Sequence, residues 1–335
     1  MNRSDLKNLI DNPIDLFNEA NKKKSSLYGK NVFFAKNIHL NLTNICVERC
    51  GFCPFARNKD DFDAYKLSPE VVASKLQGLT WLSEVHITSG LNPDLKWNEV
   101  LKILDSIRKT LPKATIKSLT AVEVEFYAKE ENKPIESIIE DLLNHGSVSL
   151  TGGGAEILKD SMRTKLLTKK TSPEMWLKIH EIAHKIGLKS NATMLYGHFE
   201  TFDDILEHLN LLEDLQQKTG GFQAFIPLKF QPLNTKFRHI KPATSIKTLK
   251  TIAISRLVLS IPHIKAYWPS IGQDCALMAL WTGADDLEGT LVDEKIMHEG
   301  GSPEPGGLSA ESLKDMITNI GLVPFERNSL YEKIG

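Results

Sequence analysis

The chain has 335 residues and little of several things. Four cysteines are too few, in a chain this long, for a disulfide scaffold. No apolar run reaches the roughly 18 residues of a membrane helix. Neither charge sign dominates: 41 Lys+Arg stand against 42 Asp+Glu, a formal net charge of -1. That balance argues against a surface that coats nucleic acid. The first twenty residues, MNRSDLKNLIDNPIDLFNEA, mix charged and apolar residues and lack the apolar core of a signal peptide. The expectation is a cytoplasmic enzyme of a reducing compartment, with no nucleic-acid or membrane partner. What is present in quantity, 41% hydrophobic and 25% charged residues, suits a globular protein with a large core.

Segments of helical period alternate with short apolar, β-branched runs. A helical lead-in over residues 4–20 is interrupted at Asn12-Pro13, and Lys22 to Ser26 reads as a solvated charged connector. Strands are expected at 37–42, 85–88, 115–119, 148–150, 190–195 and 222–228, with weaker ones at 264–268 and 284–287. Helices are expected from Ser68-Pro69-Glu70, over 97–110, 134–144 and 173–187, and over about 202–217 and 244–259. Eight strand–helix alternations favour a (β/α)8 TIM-type barrel over a doubly wound sheet, with chemistry at the C-terminal strand ends. The expected division is an N-terminal helical extension over 1–30, a barrel over 31–290 and a C-terminal extension over 291–335.

Three of the four cysteines fall within eight residues. Asn41 begins NLTNICVERCGFCPFAR, in which Cys46, Cys50 and Cys53 form C-x3-C-x2-C directly after the first expected strand. A structural zinc site wants a second ligand pair, and none is adjacent. Soft thiolates suit an iron–sulfur cluster, and three ligands leave one iron of a cubane open to a substrate or cofactor. Cys275 stands alone and reads as a small core residue.

The spacing, with Phe52 just before the third cysteine, resembles the radical S-adenosylmethionine (SAM) superfamily. The resemblance implies one [4Fe–4S] cluster on Cys46, Cys50 and Cys53, with SAM chelated at the open iron. It implies SAM contacts at Phe52, at Ser89, Gly90 and Pro93 of TSGLNP, at Glu156 of TGGGAE, and at Thr193 and Met194. TSGLNP departs mildly from the superfamily's Gly-Gly-x-x-Pro by carrying Ser89 for the first glycine. TGGGAE matches no nucleotide phosphate loop.

The resemblance runs from about residue 35 to the end, through SLTAVEVEFYA, TGGGAEIL, SNATMLYGHFET, TGGFQAFIPLKFQPLNT, IPHIKAYW and TGADDLEGTLVDEKIMH. These blocks look most like the aminofutalosine synthase family of the futalosine menaquinone pathway. That implies addition of a 5′-deoxyadenosyl radical to 3-[(1-carboxyvinyl)oxy]benzoate, rearrangement, and loss of the carboxyl group to give 6-amino-6-deoxyfutalosine. It also implies a flavodoxin- or ferredoxin-type electron donor. The enzymatic alternative is dehypoxanthine futalosine cyclase or a related enzyme acting by hydrogen abstraction. The non-enzymatic alternative is an iron–sulfur electron-transfer protein.

A dicarboxylate substrate needs donors near strand ends. Arg57, His198, Gln223, Lys229, Asn234 and Lys265 are the candidates, with Phe222, Phe225, Ile226, Pro227 and Phe230 as candidate walls. Alternation puts Phe222, Ala224 and Ile226 on one face of their strand, and Gln223, Phe225 and Pro227 on the other. Asp285-Asp286, with Glu288 nearby, is expected to be structural. His180-Glu181-Ile182-Ala183-His184 spells the zincin motif. Its helical phase places both histidines at the polar margin of an outer helix, so a pair of partly exposed histidines is expected rather than a metallopeptidase.

Overall fold

The computed structural model describes residues 3–334. Ten strands run in chain order: β1 (Asn31–Ala35), β2 (Asn37–Leu40), β3 (Glu84–Ile87), β4 (Thr115–Ser118), β5 (Ser147–Leu150), β6 (Lys189–Tyr196), β7 (Phe222–Lys229), β8 (His263–Ile264), β9 (Asp286–Gly289) and β10 (Val323–Arg327). Strands β2 to β8 form a parallel sheet in sequence order, each neighbour reached through helical segments on the outside. Parallel strands demand such crossovers, and their two-sided burial explains the Val, Ile, Leu and Phe content.

The sheet curls almost into a barrel. Seven strands form its continuous ladder, not the expected eight. The segment 285–292 spans the gap through single bridges, Lys265 to Asp286 on one side and Ile38 to Val292 on the other. The reason is that β9 makes its ladder with β1, in a second sheet of order β10-β1-β9.

Two sequence readings are corrected here. Lys22 to Ser26 is no connector but the third turn of a helix, Pro13–Tyr28. Lys24 is 1% exposed, and Lys23 Nζ donates to the carbonyls of Leu257 and Leu259 at 3.2 and 3.1 Å. The long lysine stems cover apolar surface while the ammonium caps free carbonyls at the end of helix Ser245–Val258. His180 is likewise not marginal. It is fully buried and lies 2.9 Å from Ser190 Oγ, while His184 Nδ1 reaches Thr219 Oγ1 at 2.7 Å. Glu181 is turned outward to Lys185 and Lys218, so these three residues converge on no metal.

Around the sheet, Trp97, Trp176 and Trp268 are the largest fully buried side chains. Cys275 is buried in the short helix Gln273–Ala279, as expected. Asp285 and Asp286 are structural too. Arg256 and His263 hold Asp285, and Arg327 holds Asp286. No helix among the described residues is long and apolar enough to cross a membrane.

Candidate active site

The loop after β2 is tied down at several points. Cys46 N donates to Arg57 O at 3.1 Å, Val47 N to Leu91 O at 3.0 Å, and Gly51 N to Leu167 O at 3.3 Å. These bonds bring Cys46, Cys50 and Cys53 to the rim of one cavity of about 310 Å³ at the C-terminal mouth of the sheet. Burial pushes the Cys53 thiol up to about 11 and raises that of Cys50. Cys50 Sγ lies 3.0 Å from Thr168 Oγ1. Three partly buried thiols at one point are a donor set for a cationic metal centre, which would convert them to thiolates.

Two glycines keep the cavity open where backbones approach. A Cβ at Gly90 would lie 2.3 Å from Ile45 O, and one at Gly152 would lie 2.8 Å from the backbone of Asn191 and Ala192. Ser89 N, beside Gly90, donates to Glu123 Oε1 at 2.9 Å. Glu123 also accepts from Thr120 N and Thr120 Oγ1, both at 2.8 Å. Full burial nevertheless raises its carboxyl to about 7.

Of the expected SAM contacts, Phe52, Ser89, Gly90, Glu156 and Thr193 line this cavity. Glu156 forms a buried ion pair with Lys170, whose ammonium also lies 5.1 Å from the Phe52 ring centroid. Thr193 Oγ1 donates to Gly152 O at 2.7 Å. Met194 and Pro93 do not line it. On β6, Thr193 and Leu195 face the cavity, so alternation turns Met194 into the core behind the strand, where it is fully buried.

The expected substrate candidates scatter. Lys229 lines the cavity, at the C-terminal end of β7. Arg57 does not: its guanidinium is taken by Asp63 at 2.8 Å and Glu299 at 3.2 Å. His198 turns back to Leu195 O at 2.9 Å. Gln223 sits at the opposite, N-terminal end of β7. Asn234 lies on an adjoining outer recess that shares Cys50 and Cys53 with the cavity, beside Arg49 and Lys236, and donates to Glu299 O at 2.8 Å. Lys265 is 1% exposed and bound to Glu288 at 2.6 Å.

Among the candidate walls, Ile226 and Phe230 line the cavity, as does Leu228. Phe222 does not share the face of Ile226. The β6–β7 register slips between Ser190↔Phe222 and Asn191↔Ala224, a bulge that sends Phe222 to the helix side, against Trp176 and His184.

Cavity residues that the sequence did not single out include His39, His86, Lys170, Tyr267 and Glu294. The strand signal was there for the two histidines: each sits one position before an apolar residue on the lumen-facing phase of β2 or β3. Lys170 lies in an irregular segment with no pattern to mark it.

Comparison with known proteins agrees with this geometry. Residues 40–212 match the radical SAM superfamily model, and residues 219–334 match the CofH/MqnC C-terminal region. An aminodeoxyfutalosine synthase of Thermus thermophilus is 35% identical over 94% of this chain and 87% of its own. A 5-amino-6-(D-ribitylamino)uracil–L-tyrosine 4-hydroxyphenyl transferase of Methanopyrus kandleri is 33% identical over 96% of this chain and 89% of its own. The crystal structure of methylornithine synthase superposes with a TM-score of 0.74, covering 97% of this chain and 90% of that one at 17% identity, which speaks to the fold. Three thiols at the mouth of a curled parallel sheet, a matching family model over half the chain, and relatives of like length place this chain in the radical SAM superfamily, among enzymes that use a [4Fe–4S] cluster and SAM.

Proposed function

We propose that Cys46, Cys50 and Cys53 hold the cluster, and that Phe52, Ser89, Gly90, Glu156 and Thr193 form the SAM half of the cavity. The observation that carries this is that all eight residues open onto one cavity. When bound, the cluster and SAM together supply a 5′-deoxyadenosyl radical. The protein's own part is to bind and to exclude water. Leu91, Val122, Leu195, Ile226 and Leu228 give the cavity an apolar wall that shields a radical from solvent.

Two readings of the substrate have support. In the first, the radical adds to 3-[(1-carboxyvinyl)oxy]benzoate, giving 6-amino-6-deoxyfutalosine for menaquinone synthesis. The 35% identity to the Thermus synthase supports it. In the second, the radical abstracts hydrogen, as expected of a futalosine cyclase or a related enzyme. The match of residues 219–334 to the CofH/MqnC C-terminal region supports this one. On this ground the second reading is the better supported.

Product analysis separates them. Reduced, reconstituted protein is given SAM and, in parallel reactions, the carboxyvinyl benzoate or dehypoxanthine futalosine under anaerobic conditions, and products are read by mass spectrometry. An adenine-containing adduct establishes the first reading. Free 5′-deoxyadenosine, formed only with a hydrogen-donating substrate, establishes the second. No reductive cleavage of SAM at all would refute both. An external electron donor of flavodoxin or ferredoxin type is part of either scheme.

A further inference from the structure

His39 and His86 stand opposite each other on β2 and β3, paired in register, with ring centroids 4.3 Å apart. Both line the cavity, below the loop of Ser89 and Gly90. Neither ring donates to or accepts from another described residue. His39 Nε2 and His86 Nδ1 are buried without a partner. A buried polar atom left unsatisfied is costly, so a matched pair of them aimed into a substrate cavity calls for a ligand.

Glu288 supplies the third corner. One ligand atom from each of the three residues lies within 4.8 Å of the others. A central atom in their plane then sits at most about 2.8 Å from each, within reach of a hydrogen-bonded oxygen. A cation bound there would face the Lys265 ammonium, 2.6 Å from Glu288 Oε2.

Burial favours the neutral form of both rings, of His86 strongly, and Lys117 adds to the effect on each. The other charged groups facing them are Glu84, Glu288, Glu294 and Lys265. A neutral imidazole offers one N–H and one lone pair, so two of them can point two donors at one oxygen.

We propose that His39 and His86 are the anchor for a hydroxyl of the substrate, borne on an aromatic or sugar carbon, whose oxygen accepts from the rings and whose proton is offered to Glu288. The inference rests on the reading that this cavity holds the substrate. It places the oxygen-bearing end of that substrate against β2 and β3, remote from Lys229 on β7.

Binding of benzoate and of phenol to the SAM-loaded holoenzyme, by calorimetry at pH 6 and pH 8, tests this. Wild type is expected to bind phenol in preference to benzoate. His39→Phe/His86→Phe, which keeps ring bulk and removes the donors, is expected to weaken it by about tenfold or more. The single change His86→Gln, which keeps an N–H, is expected to restore part of the loss and serves if the double variant does not fold. Benzoate binding that strengthens toward pH 6 would overturn the hydroxyl assignment, because the rings would then be taking up a proton with a carboxylate. Phenol binding indifferent to pH identifies a hydroxyl. Equal binding by wild type and variants, no binding of either probe, or stoichiometric Zn2+ uptake that both histidines are needed for would overturn the proposal. Wild-type protein that fails to cleave SAM would instead overturn the radical SAM reading of the cavity.

Discussion

Arg327, on the last strand, donates from Nε to Asp286 Oδ2 at 2.6 Å, and both side chains are completely buried. The same guanidinium reaches Glu84 Oε2 at 3.2 Å, and Lys117 reaches that oxygen at 3.1 Å. One residue from β10 thereby ties β3 to β9 under the open edge of the sheet. Arg327→Met leaves two carboxylates short of a partner in a fully buried site. It is expected to cost about 3–5 kcal/mol of stability, read as a lower denaturant midpoint at unchanged slope.

Gly90→Ala pushes a methyl group into the Ile45 carbonyl, 2.3 Å from where the Cβ must sit. Ile45 is a backbone neighbour of Cys46, so the cluster loop has to shift rather than a flexible side chain. Iron content per chain and SAM affinity are both expected to fall, the latter by tenfold or more, as measured by equilibrium binding. Gly306→Ala, with nothing within 4 Å, is expected to change neither.

The contrast between what could be read from sequence and what could not is physical. Strands β2 to β7 were legible to within one or two residues because both their faces are buried, which makes short, bounded apolar runs. Strand β1 was not, since only Lys36 separates it from β2 and no turn residue marks the boundary. Helix Ala121–Glu130 was missed because it is buried on most sides and so has little amphipathic period. The cysteines were legible because their spacing is local. The groups that meet them are not local: Thr168 is 118 residues from Cys50, and Lys170 pairs with Glu156 across the short helix Asp160–Lys165. Of six polar residues expected near the substrate, Lys229 alone lines the cavity, because proximity to a strand end does not say whether a side chain already has a partner.

His208 carries a pH dependence. Its Nδ1 accepts from Leu158 N at 3.1 Å, and its Nε2 donates to Thr193 O at 3.0 Å, so the ring must be neutral. Burial lowers it to about 3. The unfolded chain protonates near pH 6.5, so below that pH it binds a proton the native state refuses. Stability from this group is therefore full above about 6.5 and is lost as the pH falls toward 3, at up to about 1.4 kcal/mol per unit. Urea unfolding between pH 6.5 and 5 is expected to show a shallower pH slope in His208→Gln than in wild type.

Lys170 links three parts of the site. It neutralises Glu156, covers the Phe52 ring, and faces Cys50 closely enough to draw its thiol downward against the effect of burial. Lys170→Met strands the Glu156 carboxylate in a buried position, which alone would cost several kcal/mol. Any loss of SAM binding could then be a folding defect. The double variant Lys170→Met/Glu156→Gln removes the stranded charge, so its unfolding midpoint is expected to return toward wild type. If the Lys170–Glu156 pair also serves SAM, affinity in the double variant stays at least tenfold down. Recovery of both stability and affinity would show that the pair serves the fold alone.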